Sequence, residues 1–341
     1  MVEYGLRAAI TKVNANGGIG GRRVELAIAD DRLDPTEEVS LVQERLNADE
    51  PPDVVWTGIT SNETLAVLPA LSQAGVLSFS VSSDLKINNP QRYPYHFGLQ
   101  SASNQNYRAM LGLFRSEGVR KLGFIAGNDA FGTYNLSAIK ELLRGTEIEL
   151  VTQSYDTSAT DLTAPMDALL AADPDMVLMS SFGPSAGYLL EAREKLGSKV
   201  PVIGDVGMSG SNPGALVGKK AIEGVRMQSF TIGSAAHRDR WQPAAAEMIE
   251  AVRSQGKITQ IITLASEAYD AIMLLSVAAK QAGSTDADAL KAALESLSSP
   301  NPAPWTTYRS YGYSASNHFP VTTAKDYIYI PATPLVDGQF Q

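Results

Sequence analysis

Residues Gly5–Leu46 read GLRAAITKVNANGGIGGRRVELAIADDRLDPTEEVSLVQERL, and this stretch decides the fold class. Leu6, Ala9, Ile10 and Val13 recur at three- and four-residue spacing, the stripe of a helix with one buried face. Asn16-Gly17-Gly18 supplies a helix stop that glycine accommodates cheaply. Arg23–Ala29 then alternates apolar and polar side chains, which predicts a strand, and Asp30-Asp31 closes it. Asp34-Pro35 opens a second helix, with an acidic cap and a proline in its first turn. Helix, glycine turn, strand and helix in this order describe an α/β protein that begins partway through a unit.

Working outward, the alternation continues. Strands are predicted at Val54–Gly58, Val76–Val81 and Tyr93–Leu99, with a helix at Glu63–Ala74. A helix at Ser103–Ser116 leads to a second series. Its strands are Lys121–Gly127, Glu147–Tyr155, Asp175–Ser181 and Val200–Asp205, and its helices are Phe131–Leu143, Leu162–Ala172 and Pro184–Leu196. Arg226–Gly233 is extended with no immediate helix and reads as a return crossing. Helices at about Asp239–Ser254, Ile261–Ala282 and Asp286–Ser298 precede an aromatic, turn-rich tail with Tyr327-Ile328-Tyr329-Ile330. Strands alternating with helices of this length imply parallel sheets covered on both faces, and two series imply two lobes.

Composition narrows the function. The 341 residues are 44% apolar and 19% charged, with a formal net charge of -9, which argues against a nucleic-acid binder and fits a small-molecule partner. With no cysteine, disulfides, thiolate metal sites and cysteine nucleophiles are excluded. The three histidines, His96, His237 and His318, are isolated, and no metal-ligand spacing occurs, so neither metal nor cofactor is expected. No run approaches the roughly eighteen consecutive apolar residues of a membrane helix. The start MVEYGLRAA shows no basic segment followed by an apolar one, hence no visible signal peptide. Gly17–Gly21 follows a helix rather than a strand and reads as a turn, and no phosphate-cradling loop is present.

In open parallel sheets, ligands bind beyond the carboxyl ends of strands, where helix starts offer free N–H groups. Here those places carry small polar or aromatic residues: Thr60-Ser61-Asn62 and Ser80–Asp84 in the first series, and Asn128–Gly132, Ser180–Gly183 and Gly204–Gly207 in the second. Taken singly, the serines read as ordinary helix caps, Phe131 and Phe182 as core residues, and Asn128-Asp129 as a turn. Taken together they describe a cleft with hydroxyls on one wall and aromatic rings on the other.

These segments resemble the type I periplasmic binding proteins, in particular the leucine/isoleucine/valine-binding receptors of ABC transporters. The likeness spans essentially the whole chain and rests on GLRAAITKVNANGGIGGRRVELAIADD, TGITSNETLAVLPALSQAGVLSFSVSS, GNDAFG, DPDMVLMSSFGPSAGYLLEAREKLG and Tyr313–His318. It implies two doubly wound parallel-sheet lobes joined by a three-strand hinge near Phe97–Ser101, Gln228–Gly233 and Tyr327–Ala332. Residues 1–100 with 234–326 would form the N-terminal lobe, and 101–233 with 327–341 the C-terminal lobe.

By the same resemblance, a ligand carboxylate is held by Ser61, Asn62, Ser82, Ser83 and Asp84, and Phe131 covers it. Phe182 or Gly183 falls on a second aromatic position. The acidic residue that takes an α-ammonium belongs in the loop of Asp205, yet the match puts Val206 there and Asp205 one residue early. That shift turns the expectation toward a carboxylate without an amine, aromatic or aliphatic. The family opens with an interior strand before its first helix, so the resemblance implies a first strand absent here, together with a lost export signal. The implied protein is a non-catalytic periplasmic receptor, partnered by permease subunits and closing on its ligand. A cytoplasmic ligand-sensing regulator of the same fold is the alternative, and an enzyme acting on a nucleotide or activated sugar finds no supporting motif. His318, Trp305, Tyr308, Tyr311 and Tyr313 read as structural.

Overall fold

The computed structural model describes residues 1–341. In chain order the elements are α1 (Val2–Ala15), α2 (Pro35–Leu46), β1 (Val54–Trp56), α3 (Ser61–Ala74), β2 (Leu77–Ser80), β3 (His96–Gly98), α4 (Ser103–Ser116), β4 (Lys121–Gly127) and α5 (Ala130–Leu143). Then follow β5 (Glu149–Tyr155), α6 (Thr163–Leu170), β6 (Met176–Ser180), α7 (Pro184–Lys195), β7 (Val202–Gly204), α8 (Val206–Gly210), α9 (Pro213–Leu216) and β8 (Val225–Phe230). The chain ends with α10 (Ala245–Gln255), α11 (Ile262–Ala282), α12 (Ala287–Glu295) and β9 (Tyr327–Pro331). It divides into two compact units. The first comprises Met1–Ala102, Gln242–Gly256 and Leu264–Val321; the second comprises Ser103–Trp241, Lys257–Thr263 and Thr322–Gln341.

The first unit holds a parallel sheet in the order β1-β2-β3. The outer edge of β3 is closed by the segment around His318. Gly98 N donates to His318 O at 2.9 Å, His318 Nδ1 lies 2.8 Å from His96 O, and the imidazole stacks on Phe97 with centroids 4.0 Å apart. Helix α11 runs through this unit. It is long and apolar enough to cross a membrane, but 89% of its apolar window is buried, as in the core helix of a globular unit. Gly5 of α1 lies directly on the Ala265 backbone of α11, so closely that a Cβ would stand 2.8 Å from the Ala265 carbonyl carbon.

The strand expected at Arg23–Ala29 does not form. Residues 23–30 carry no regular secondary structure and pair with no strand, and Ile28 is 54% exposed. Only Val24 is tied down, its backbone exchanging two hydrogen bonds with the Asn14 side chain at 2.8 and 2.9 Å. The start of the segment is held by a two-pronged Arg22–Asp53 ion pair at 3.1 and 3.2 Å. Alternation prepares one face for burial, but a strand also needs a neighbouring backbone, and none pairs with this one. We expect the amides of Glu25–Ala29 to exchange with solvent at nearly unprotected rates while those of Phe124 and Ile125 in β4 stay protected. Comparable protection of both segments in a native-state exchange experiment would contradict this.

In the second unit the sheet runs β5-β4-β6-β7-β8-β9, parallel throughout except that β9 is antiparallel to β8. Residues 226–233, expected as a return crossing, instead carry most of β8, an interior strand held between β7 and β9. The following helix begins at Ala245 rather than near Asp239, because 3-10 turns over Ala235–Arg240 and then Pro243 intervene. The core gathers Tyr107, Phe114, Phe124, Ile139, Leu178 and Ile203. From β4 the chain steps to β5 on one side and later to β6 on the other, so strand order reverses between β4 and β6. The loops leaving those two strands flank that point.

Candidate ligand-binding site

Each unit carries its own set of strand-end loops. In the first unit, α3 opens with a capping box: Glu63 N donates to Thr60 Oγ1, and Thr60 N donates to the Glu63 carboxylate at 2.8 Å. Ser61, at the first helical position, is 2% exposed, and its Oγ has no hydrogen-bond partner. Asn62 beside it is exposed. A chain of hydroxyls joins this loop to the next: Thr57 to Thr64 at 3.1 Å, then Thr64 to Ser82 at 2.8 Å. The Ser82 hydroxyl is thus already engaged, by Thr64 one helical turn on from Ser61 in α3. Ser83 and Asp84 are buried as well. Asp84 accepts Lys86 N at 2.8 Å in a local turn, its other oxygen is unpartnered, and burial raises its pKa.

Two carboxyls that sequence reasoning missed lie behind this wall. Glu38 of α2 accepts Gly58 N at 2.6 Å, and Glu63 rests against Gly58, whose missing Cβ would stand 2.6 Å from Glu63 Oε2. Each has a second oxygen with no protein partner. Burial pushes both upward, Glu38 to about 7, with the neighbouring like charges adding to it. The Thr60-Ser61-Asn62-Glu63 pattern is the signal for Glu63, whereas nothing local marks Glu38 as buried.

In the second unit, Asp129 caps α5 by accepting Gly132 N at 2.8 Å, which places Phe131 in the first turn, half-buried at the end of β4. Its ring lies against Gly207 of α8, and Phe182 lies beside Gly210 of the same short helix. Phe131, Phe182 and Val206 therefore share the ends of β4, β6 and β7, although Val206 is only 6% exposed. Asp205 points into the unit. It accepts Met208 N at 3.0 Å and Tyr107 OH at 3.1 Å, and Tyr107 also reaches Ser180 at 3.2 Å, which receives the Asn135 amide at 2.7 Å. Burial raises the Asp205 pKa to about 6 despite these donors. Such a carboxylate is committed to capping α8 and to holding Tyr107. His318, Trp305, Tyr308, Tyr311 and Tyr313 are buried in the first unit, the tyrosines grouped around Asp270.

A family model described as periplasmic binding protein matches residues 1–325. The Leu/Ile/Val-binding protein homolog 1 of Brucella abortus is 29% identical over 294 residues, covering 84% of this chain and 74% of the relative. The fold matches a type 1 periplasmic binding protein from Bordetella pertussis, with a TM-score of 0.81 at 20% identity over 96% of this chain and 90% of the other. It also matches the Streptococcus pneumoniae branched-chain amino acid transporter substrate-binding protein LivJ, crystallised with isoleucine, with a TM-score of 0.73 at 17% identity over 96% and 93% of the two chains. Proteins of this kind bind substrates and are not enzymes. The chain belongs to the periplasmic binding protein family.

Proposed function

We propose that this protein is the extracytoplasmic receptor of an ABC importer, taking a small carboxylate ligand and passing it to permease subunits. The observation that carries the reading is Ser61. A buried hydroxyl without a protein partner, in the first turn of a 14-residue helix, is chemically suited to a carboxylate oxygen. Phe131 and Phe182 supply the aromatic surface expected over the ligand's apolar part. Enclosure by a hinge motion, with differential affinity for the closed state, completes the mechanism.

The Brucella relative's name makes leucine, isoleucine and valine the first ligands to try. One observation favours a finer reading, a carboxylate without an amine: Asp205 already spends its oxygens on Met208 N and Tyr107 OH. Leucine and 4-methylpentanoate differ by the amine alone and separate the two classes. In a thermal-shift screen the true class stabilises the protein by mass action. A preference for leucine would show that another group receives the ammonium. On calorimetry, Ser61→Ala should weaken carboxylate binding about 10- to 100-fold, the worth of one hydrogen bond to a charged group. Unchanged affinity would remove Ser61 from the site.

A further inference from the structure

We propose that Gly207 is a positioning residue. By having no side chain it fixes where the Phe131 ring stands, and so how large a ligand the second unit's wall admits. The inference rests on the receptor reading above. In the sheet, β6 lies between β4, which carries Phe131 at its end, and β7, which leads into α8. The Phe131 ring crosses the end of β6 to reach Gly207. A Cβ at Gly207 would stand 2.7 Å from Phe131 Cζ, 3.2 Å from Phe131 Cε1 and 3.1 Å from the Ser181 carbonyl oxygen.

Which of these neighbours would yield is decided by how each is held. Ser181 O is backbone at the end of a buried strand. The Phe131 backbone cannot retreat either, since Asp129 caps the turn through Gly132 N at 2.8 Å and a Gly132 Cβ would collide with the Gly127 carbonyl. The ring alone is free to swing, and it is only half-buried. Gly207 does not occupy the left-handed region, and alanine suits a helix better than glycine does. An alanine there therefore tests the ring contact rather than backbone strain. Phe182 stands beside Gly210, three residues on and so on the same face of α8, 3.7 Å from where a Cβ would be.

Two measurements test this. First, a thermal double-mutant cycle is run on Gly207→Ala and Phe131→Ala without ligand. Gly207→Ala should lower Tm clearly more when Phe131 is present than when Phe131 is alanine. Additive shifts would overturn the contact. Second, affinities are measured for L-valine, L-leucine and L-phenylalanine and for 3-methylbutanoate, 4-methylpentanoate and 3-phenylpropanoate. Gly207→Ala should change the ratio between the smallest and largest bound probes by tenfold or more, and adding Phe131→Leu should reverse the change. A thermal coupling with an unaltered ratio would make Gly207 a purely structural residue and overturn the proposal. Failure of the parent protein to bind any probe would overturn the receptor reading and with it the size-selecting role, while the thermal cycle would still decide the ring contact.

Discussion

Asp270→Ala is expected to cost the first unit about 3–5 kcal/mol, a large share of the roughly 5–15 kcal/mol that holds a typical domain together. The carboxylate is fully buried on α11 and accepts from Thr306 N at 2.6 Å, Thr306 Oγ1 at 2.8 Å, Thr307 N at 2.9 Å and Tyr311 OH at 2.7 Å. Alanine would leave two buried amides and a phenol without an acceptor. The threonine hydroxyls suffer less, because Ser266 Oγ bonds both at 2.7 Å. Tyr308 and Tyr311 meet edge to face and Trp305 closes the cluster, so no water has easy access to the vacated donors.

The Asn variant sharpens the test. Its amide oxygen can replace the one carboxylate oxygen that receives Thr306, but its NH2 would then face Thr307 N and Tyr311 OH. The phenol can rotate and accept; the backbone amide cannot. Asp270→Asn should therefore lie between parent and alanine. At about 2–4 °C per kcal/mol for a unit of this size, Asp270→Ala should lower its transition by roughly 6–20 °C. Calorimetry with hydrogen exchange on α11 reads this, and a shift under about 3 °C would show that the cluster holds together without its acceptor.

What the chain discloses about itself follows the range of the forces involved. Helix α4 and strand β4 have the bounds predicted for them, and α2 starts behind Asp34 as expected, because caps, proline and periodicity act within a few residues. Helix α3 begins two residues earlier than predicted, though Thr60 and Glu63 spell a capping box, and that shift moves Ser61 from the loop into the helix. Segment 23–29 had the alternation of a strand, but pairing depends on a neighbour that alternation cannot supply. The candidate loops were legible as strand ends followed by polar residues. The inward turn of Asp205 was not, since Tyr107 lies 98 residues away in the chain. Nor could the Asp270 cluster be seen, where Tyr311 comes from 41 residues downstream.

Glu38→Gln is expected to make the protein more stable than its parent at pH 8 and no more stable at pH 4. Burial raises the Glu38 pKa from 4.5 to about 7, and the nearby carboxylates of Glu63 and Asp31 act in the same direction. For an acid raised on folding, the unfolded chain releases its proton first. The associated stability is therefore fully present below about pH 4.5 and is lost as pH rises through about 7. A rise from 4.5 to about 7 corresponds to on the order of 2–3 kcal/mol once partial solvation is allowed for. Glutamine keeps an oxygen to accept Gly58 N and carries no charge at any of these pH values, so it removes the loss without removing the bond. The parent's Tm should fall between pH 5 and 8 while the variant's stays flatter, with a gap at pH 8 of roughly 5–10 °C. Because Gly58 leads directly into Thr60 and Ser61, carboxylate affinity should fall with rising pH in the parent and less steeply in the variant. Parallel stability profiles for the two proteins would show that Glu38 reaches solvent through its unpartnered oxygen and titrates as an ordinary glutamate.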